Sequence, residues 1–229
     1  MFTKGQGIRL FCKTCGKEQF FIIKDRTDRT DNTGLRSLYV VCPVCSSEPE
    51  DVDVLERLRL ENEWYLKEQH FASHHGLFFV VEAEPVPQGR PRFASVGGRF
   101  VHAYDPPESV KYKNLLKWHI RSFQQKYPNV SMFQNNIFLE LKIFRSIPKA
   151  FSKKKRQEIR EGKLYPVTKP DTDNYVKTVL DAANEIAFKD DSAVIGILAR
   201  KYYSDIPRIE VALFEVEDLS TVCNNEFVK

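Results

Sequence analysis

The chain has 229 residues, enough for one full hydrophobic core and a small accessory module. Hydrophobic residues make up 42% and charged residues 29%, which excludes a disordered chain, and the net charge of +4 is too small to indicate a polyanionic partner by itself. Because no apolar run approaches the roughly 20 residues of a membrane helix, and residues 1–7 lack a signal-like apolar stretch, we expect a cytoplasmic protein without a membrane partner.

Two cysteine pairs lie in the first fifty residues, each directly after a short predicted strand. In a chain without an export signal, pairs separated by two residues favour a metal site over disulfides, with a redox pair as the alternative. The sequence therefore predicts a small four-cysteine zinc-ribbon domain over residues 1–50, in which a structural Zn²⁺ is bound by Cys12, Cys15, Cys42 and Cys45. Four sulfur ligands leave no open coordination position, so this zinc would be structural.

A second domain is predicted over residues 76–217, after a connecting helix or linker over 51–75 and before a polar tail over 218–229. It begins with a predicted strand over 77–81 and a polar loop whose prolines argue against a helix there. Gly97-Gly98 then marks the turn of a basic hairpin.

The rest of this domain contains both helical and extended patterns, and we expect an α+β fold. Helices are predicted over 109–125 and 152–161 and directly after Pro170, and a strand over 136–144. Two further strands, over 193–203 and 208–216, are predicted to pair as an antiparallel hairpin. The stretch 145–163 carries eight basic and two acidic residues, which suits a surface facing a polyanion but can equally solvate a short helix.

Acidic residues cluster around the helix that follows Pro170. Asp171 stands at its expected start, where a carboxylate can simply cap the helix. Asp173, Lys177 and Asp181 fall on one face beside the apolar stripe, and Asp190-Asp191 follows the helix, where the returning chain can bring a further carboxylate towards Asp173. Because clustered carboxylates repel one another unless a cation neutralises them, a hard divalent ion is the economical explanation.

Magnesium held by a few carboxylates suits phosphodiester hydrolysis, because it retains waters and coordinates phosphate. Lys177 would then orient the attacking water or neutralise charge in the transition state. An ordinary salt bridge with Asp173, one turn earlier, is the alternative.

This acidic pattern resembles the RusA family of Holliday junction resolvases. The resemblance covers roughly residues 78–216. It is carried by Asp171-x-Asp173-Asn174-x-x-Lys177 with Asp181, by Asp190-Asp191-x-x-Val194 with Lys201, and by the loop Gly89-Arg90-Pro91-Arg92.

The resemblance implies a RusA-like domain with a mixed β-sheet packed by helices, acting as a homodimer that cuts branched, four-way DNA by paired symmetric nicks. It implies catalysis by Asp171, Asp173, Lys177 and Asp191, with Mg²⁺ or Mn²⁺ bound by Asp171, Asp173 and Asp191, and more weakly by Asp190. Backbone binding would then fall to the basic residues Arg90, Arg92, Lys153, Lys154, Lys155 and Arg156.

The predicted ribbon departs from the family pattern, in which the protein is a shorter single domain. It would bind DNA, recruit a protein partner or brace the dimer. Two other functions remain open on sequence grounds. One is a zinc-ribbon DNA-binding or adaptor protein that does not cut, and the other is a nuclease acting on forks, flaps or unbranched DNA.

Overall fold

The computed structural model describes residues 7–12, 17–30, 36–41, 52–90, 92–96 and 100–217. The chain divides into two compact units, Met1–His70 and Phe71–Lys229. None of the described helices is both long and apolar enough to cross a membrane.

The first unit contains a three-stranded antiparallel sheet of β1 (Gly7–Cys12), β2 (Lys17–Thr30) and β3 (Arg36–Val41), in that order. The helix α1 (Val52–Ser73) follows. The three predicted strands and the predicted helix are thus confirmed. Cys12 is the last residue of β1, whereas Cys15, Cys42 and Cys45 lie outside the described residues, so the zinc ribbon stays a prediction.

The second unit alternates strands and helices along the chain. Its elements are β4 (Leu77–Val81), β5 (Arg92–Val96), β6 (Phe100–Tyr104), α2 (Pro107–Lys126), β7 (Ile137–Ser146), α3 (Lys153–Arg160), α4 (Thr172–Ala183), β8 (Val194–Ser204) and β9 (Arg208–Glu215). β5 and β6 form the predicted antiparallel hairpin, whose turn over residues 97–99 lies outside the described part.

The main sheet has the strand order β4-β9-β7-β8, in which only β7 and β8 run parallel. Its central strand β7 presents Leu139, Leu141 and Ile143, all fully buried, to the same core as Leu116 and Ile120 of α2. Burying a side chain of this size contributes about 1.5–3 kcal/mol. The helices α2 and α4 therefore cover one face of a mixed sheet, which confirms the predicted α+β class.

The predicted pairing of the last two strands is wrong. Both strands exist, but β7 lies between them and pairs with each, because its buried residues need a central position. The short connection over residues 205–207 passes the end of β7. Arg208 braces it by donating to Ile206 O (3.2 Å) and Ser204 Oγ (3.1 Å), while its Nε donates to Glu210 (2.7 Å).

Candidate active site

The helix α4 presents two acidic side chains at its exposed N-terminus. Asp171 is the N-cap residue in extended conformation, and α4 begins at Thr172, as predicted. The Asp171 carboxylate makes no capping hydrogen bond, so the purely structural explanation for this residue loses its main support. Asp173 lies in the first turn and is exposed, as is Lys177 one turn later.

Two cations hold the segment that leads into α4. At the end of β7, Arg145 donates to Lys169 O (3.1 Å). On β8, the Lys201 ammonium donates to Pro170 O (3.0 Å) and Thr168 O (3.4 Å). The last residues before Asp171 are therefore fixed to the carboxyl ends of β7 and β8.

The loop that carries Arg90 is fixed to the first turn of α4. The backbone N–H of Gln88 donates to Asn174 O (2.9 Å), and the Gly89 N–H donates to Ser109 Oγ (3.2 Å). A Cβ at Gly89 would lie 2.6 Å from the Pro106 ring, so a larger residue would displace the loop. Arg90 is exposed two residues after this attachment of Gln88 to α4, whereas Arg92 is described only as the first residue of β5.

Asp181 pairs with a lysine of α2. The Lys113 ammonium lies 2.8 Å from both Asp181 Oδ2 and Asp105 Oδ2, and Gln88 Nε2 donates to Asp105 Oδ1 (3.0 Å). The hydrogen bond from Lys113 lowers the pKa of Asp105, and the charge of Lys177 contributes to this effect. Asp181 therefore joins α2, α4 and the Arg90 loop rather than contributing a free carboxylate.

Replacing Lys113 is expected to destabilise this junction. Lys113→Met leaves two partly buried carboxylates without their ammonium, so the free energy of unfolding should fall by about 2 kcal/mol at pH 7. Lys111→Met, an exposed control on the same helix, should change it by less than about 0.5 kcal/mol. Urea unfolding of the three proteins measures both effects.

The pH dependence of that difference follows from the two pKa shifts. Asp105 has a pKa below its ordinary 3.8, so its contribution is present above 3.8 and is lost as the pH falls through the lowered value. Burial opposes the charge on Lys113, but its two aspartates outweigh burial and raise the pKa above 10.5. The Lys113 contribution is present below 10.5 and lost above the raised value. The difference in free energy of unfolding between the wild type and Lys113→Met should therefore shrink at both low and high pH. If it stays constant at both, Lys113 does not pair with these two aspartates as described.

The basic helix α3 lies at the same end of the sheet as Asp171. Its N-cap Ser152 accepts from Lys155 N (3.4 Å), and the preceding Phe151 packs edge-on against Tyr203 near the end of β8. Arg156 donates to the carbonyls of Phe151 and Pro148, so it braces the turn. The remaining members of the predicted basic set are exposed, namely Lys153, Lys154 and Lys155.

Asp190 and Asp191 lie at the opposite end of the sheet. They precede β8, and a backbone hydrogen bond from Phe133 to Ala187 O (2.8 Å) holds the segment just before them beside the start of β7. β8 advances about 23 Å between Val194 and Lys201, and the twelve-residue helix α4 spans about 18 Å in the reverse direction. Within one chain, Asp191 is therefore not brought to Asp171 and Asp173.

The two aspartates before β8 also differ from each other. Asp190 accepts from Ser192 N (2.9 Å), a hydrogen bond that lowers its pKa. Asp191 is exposed, and its carboxylate has no hydrogen bond or ion pair with another described residue.

The structure also bears on metal binding. In the described part of the chain, no three His, Cys, Asp or Glu side chains are grouped closely enough to hold a metal ion. Mg²⁺ commonly takes one or two carboxylates and completes its shell with water and substrate phosphate. The exposed oxygens of Asp171 and Asp173 fit that donor set, and they do not suit Zn²⁺, which favours nitrogen and sulfur ligands.

Comparison with known proteins identifies the family. A model of the family described as Endodeoxyribonuclease RusA matches residues 82–214. The chain belongs to the RusA endodeoxyribonuclease family. This RusA chain is also 39% identical over 140 residues to "Uncharacterized protein YqaN" of Bacillus subtilis (strain 168), covering 60% of this chain and 95% of that protein.

RusA membership makes the chain an endonuclease that hydrolyses phosphodiester bonds in DNA, which disfavours the non-cutting adaptor. It suggests a Holliday junction resolvase, for which branched DNA is the substrate, and RusA-type resolvases generally depend on a divalent metal. The match begins at residue 82, so the predicted ribbon lies outside it.

Several residues that build the site were missed in the sequence. Gln88, Asp105 and Lys113 connect three elements through side-chain hydrogen bonds, and Arg145 fixes the segment before α4. Of these four residues, only Arg145 could have been recognised from the sequence. A basic residue directly after an apolar strand indicates a side chain at the end of the sheet, where it can contact a neighbouring segment. The other three depend on contacts between remote parts of the chain.

Proposed function

We propose that this chain resolves Holliday junctions by paired symmetric nicks in a Mg²⁺-dependent reaction, with Mn²⁺ as a substitute. The observation that carries the proposal is the exposed, uncapped carboxylate of Asp171, two residues before Asp173, with Lys177 one turn beyond Asp173, in a RusA family member. Asp181 was predicted on the same helix face, but it forms an ion pair with Lys113, so we do not include it among the metal ligands.

Asp171 and Asp173 would hold the ion, because their oxygens are exposed at the start of α4. When bound, Mg²⁺ supplies a water of lowered pKa and neutralises charge on the phosphate. Lys177 lies on the same side of the helix and donates to a phosphate oxygen as negative charge develops there. Arg90 and the lysines of α3 position the backbone, a sequence-independent contribution that salt weakens.

A homodimer would complete the acidic set. Since Asp191 lies on the order of 20 Å from Asp171 within one chain, the two can act together only if Asp191 of the partner subunit enters the site. β8 is an edge strand among the described strands, and its Ile195 and Ile197 are each 46% exposed a few residues from Asp191. A second copy covering these side chains would remove exposed apolar surface. Two-fold symmetry would then give two equivalent sites, as paired nicks require.

Cleavage of a synthetic four-way junction tests this function. In Mg²⁺, the wild type should nick opposite strands at symmetric positions, and Asp173→Asn should lose at least about 100-fold in rate. Glu217→Gln, which changes an exposed acid beyond β9, is the matched control and should cut like the wild type. Fork, flap and linear duplex of the same arm sequence, at one salt concentration, distinguish the related substrates.

Equal cleavage by wild type and Asp173→Asn would refute the proposed site. Faster cutting of forks or flaps than of four-way junctions would replace the proposed substrate but keep the catalytic residues.

A further inference from the structure

A cavity of about 490 Å³ opens beside the N-terminus of α4. Among the described residues, its walls are Tyr165, Pro166, Thr172, Arg200, Lys201 and Tyr202. Thr172 stands between Asp171 and Asp173 in the sequence, so the cavity adjoins the proposed nuclease site. Its volume falls within the range of pockets that hold small organic groups.

The aromatic wall of the cavity is rigidly supported. Tyr202 stacks on Phe144 with ring centroids 5.1 Å apart and planes 22° apart, and the Arg208 guanidinium lies 3.5 Å from the Phe144 centroid. Tyr165 follows at 6.1 Å from Tyr202 and is 50% exposed. Tyr202 is therefore held by stacking, and the half-exposed ring of Tyr165 lies beside it with its plane tilted by 53°.

Two basic residues of β8 also border the cavity. Arg200 and Lys201 are consecutive, so their side chains leave opposite faces of the strand. The Lys201 ammonium is fixed by its hydrogen bond to Pro170 O. No carboxylate occurs among the described lining residues, although two lie just outside the cavity at Asp171 and Asp173. Aromatic faces beside a fixed cation are a combination with which proteins bind an unpaired base and its phosphate.

We infer that this cavity binds one unstacked nucleobase of the DNA strand being cut, with Tyr165 as the stacking surface. The inference rests on the proposed function, because it assumes that a phosphate of the same strand lies at Asp171 and Asp173. A branch point offers bases that have lost a stacking neighbour, which lowers the cost of taking one out of the stack. The cavity would thus contribute both to junction selectivity and to base preference near the cut.

The test uses the full chain and a set of four-way junctions in metal-free buffer at one salt concentration. Each junction carries a single abasic residue at a different position near the branch point. We expect the wild type to lose affinity about tenfold at one of these positions and little at the others. Tyr165→Ala should bind the intact junction about as weakly as the wild type binds the junction with the abasic residue at that position. The abasic residue should not weaken the binding of Tyr165→Ala any further. Tyr165→Phe should bind like the wild type.

Two results would overturn the inference. One is a wild-type affinity that is the same for every abasic position, a measurement that needs no variant. The other is an additive loss, in which Tyr165→Ala weakens binding to all junctions by one factor and the abasic effect persists. Nicking of the intact junction in Mg²⁺ is measured in parallel. If the wild type nicks the intact junction normally but binds all the abasic junctions equally, only the base site is rejected. If it does not nick the intact junction, the proposed function is rejected.

Discussion

Mixing the inactive variants Asp171→Asn and Asp191→Asn is expected to restore nicking of single strands of the junction. Each variant alone should lose at least about 100-fold in rate, because each alters both sites of the proposed homodimer. In a mixed dimer, one site combines both altered residues and the other combines the two unaltered ones. Random exchange of subunits should therefore recover about a quarter of the wild-type sites.

The mixed dimer is expected to regain activity because the path of the chain separates Asp191 from Asp171 within one subunit. α4 runs away from Asp171 and β8 runs back, so Asp191 begins the return at the far end of the sheet. Only an arrangement of two chains can then place it beside Asp171.

The matched control is a mixture of Asp171→Asn with Asp173→Asn. Both residues lie at the start of α4, so every mixed dimer has one alteration in each site and should stay inactive. If the mixture of Asp171→Asn and Asp191→Asn is as inactive as this control, although native mass spectrometry shows exchanged subunits, the shared site is refuted.

Lys177→Met is expected to lower the turnover rate about 10²- to 10³-fold while leaving the affinity for the junction nearly unchanged. The ammonium is exposed one turn from Asp173 and near enough to Asp105 to help lower the pKa of that carboxyl, after the larger contribution of Lys113. A charge so placed meets the phosphate where negative charge develops, so it is needed more in the transition state than in binding. Single-turnover rates and dissociation constants separate the two effects.

Lys111→Met provides the control for loss of one positive charge, because Lys111 is exposed on α2. Lys177→Arg should recover part of the rate, since the charge is kept but the geometry of its donors changes. If Lys177→Met weakens junction binding as much as it slows cleavage, Lys177 is an ordinary phosphate contact and not a catalytic residue.

The local elements were readily predicted from sequence. Pro170 and the apolar spacing after it placed the start of α4, because a proline disfavours helical geometry in the residue before it. The apolar spacing of Val176, Val179, Leu180 and Ala183 continues in the sequence to Ala187, although α4 ends at Ala183 and Glu185 has a positive φ. Ala187 is nevertheless fully buried, so its apolar character reflects the core rather than the helix.

Pairings between remote segments could not be predicted in the same way. The strands β8 and β9 were found, but their spacing cannot show that β7 lies between them. Asp181 occupies the predicted helix face, yet its role depends on Lys113, which lies 68 residues earlier. The separation of Asp191 from Asp171 likewise depends on the relative directions of α4 and β8, which no local pattern encodes.

A crystal structure of the full chain with Mn²⁺, located by its anomalous scattering, tests the central claim most directly. We predict an ion bound by Asp171 and Asp173 of one subunit, with Asp191 of the partner subunit completing the acidic ligands. An ion bound elsewhere, or a dimer in which Asp191 of both subunits lies remote from every ion, would contradict the account.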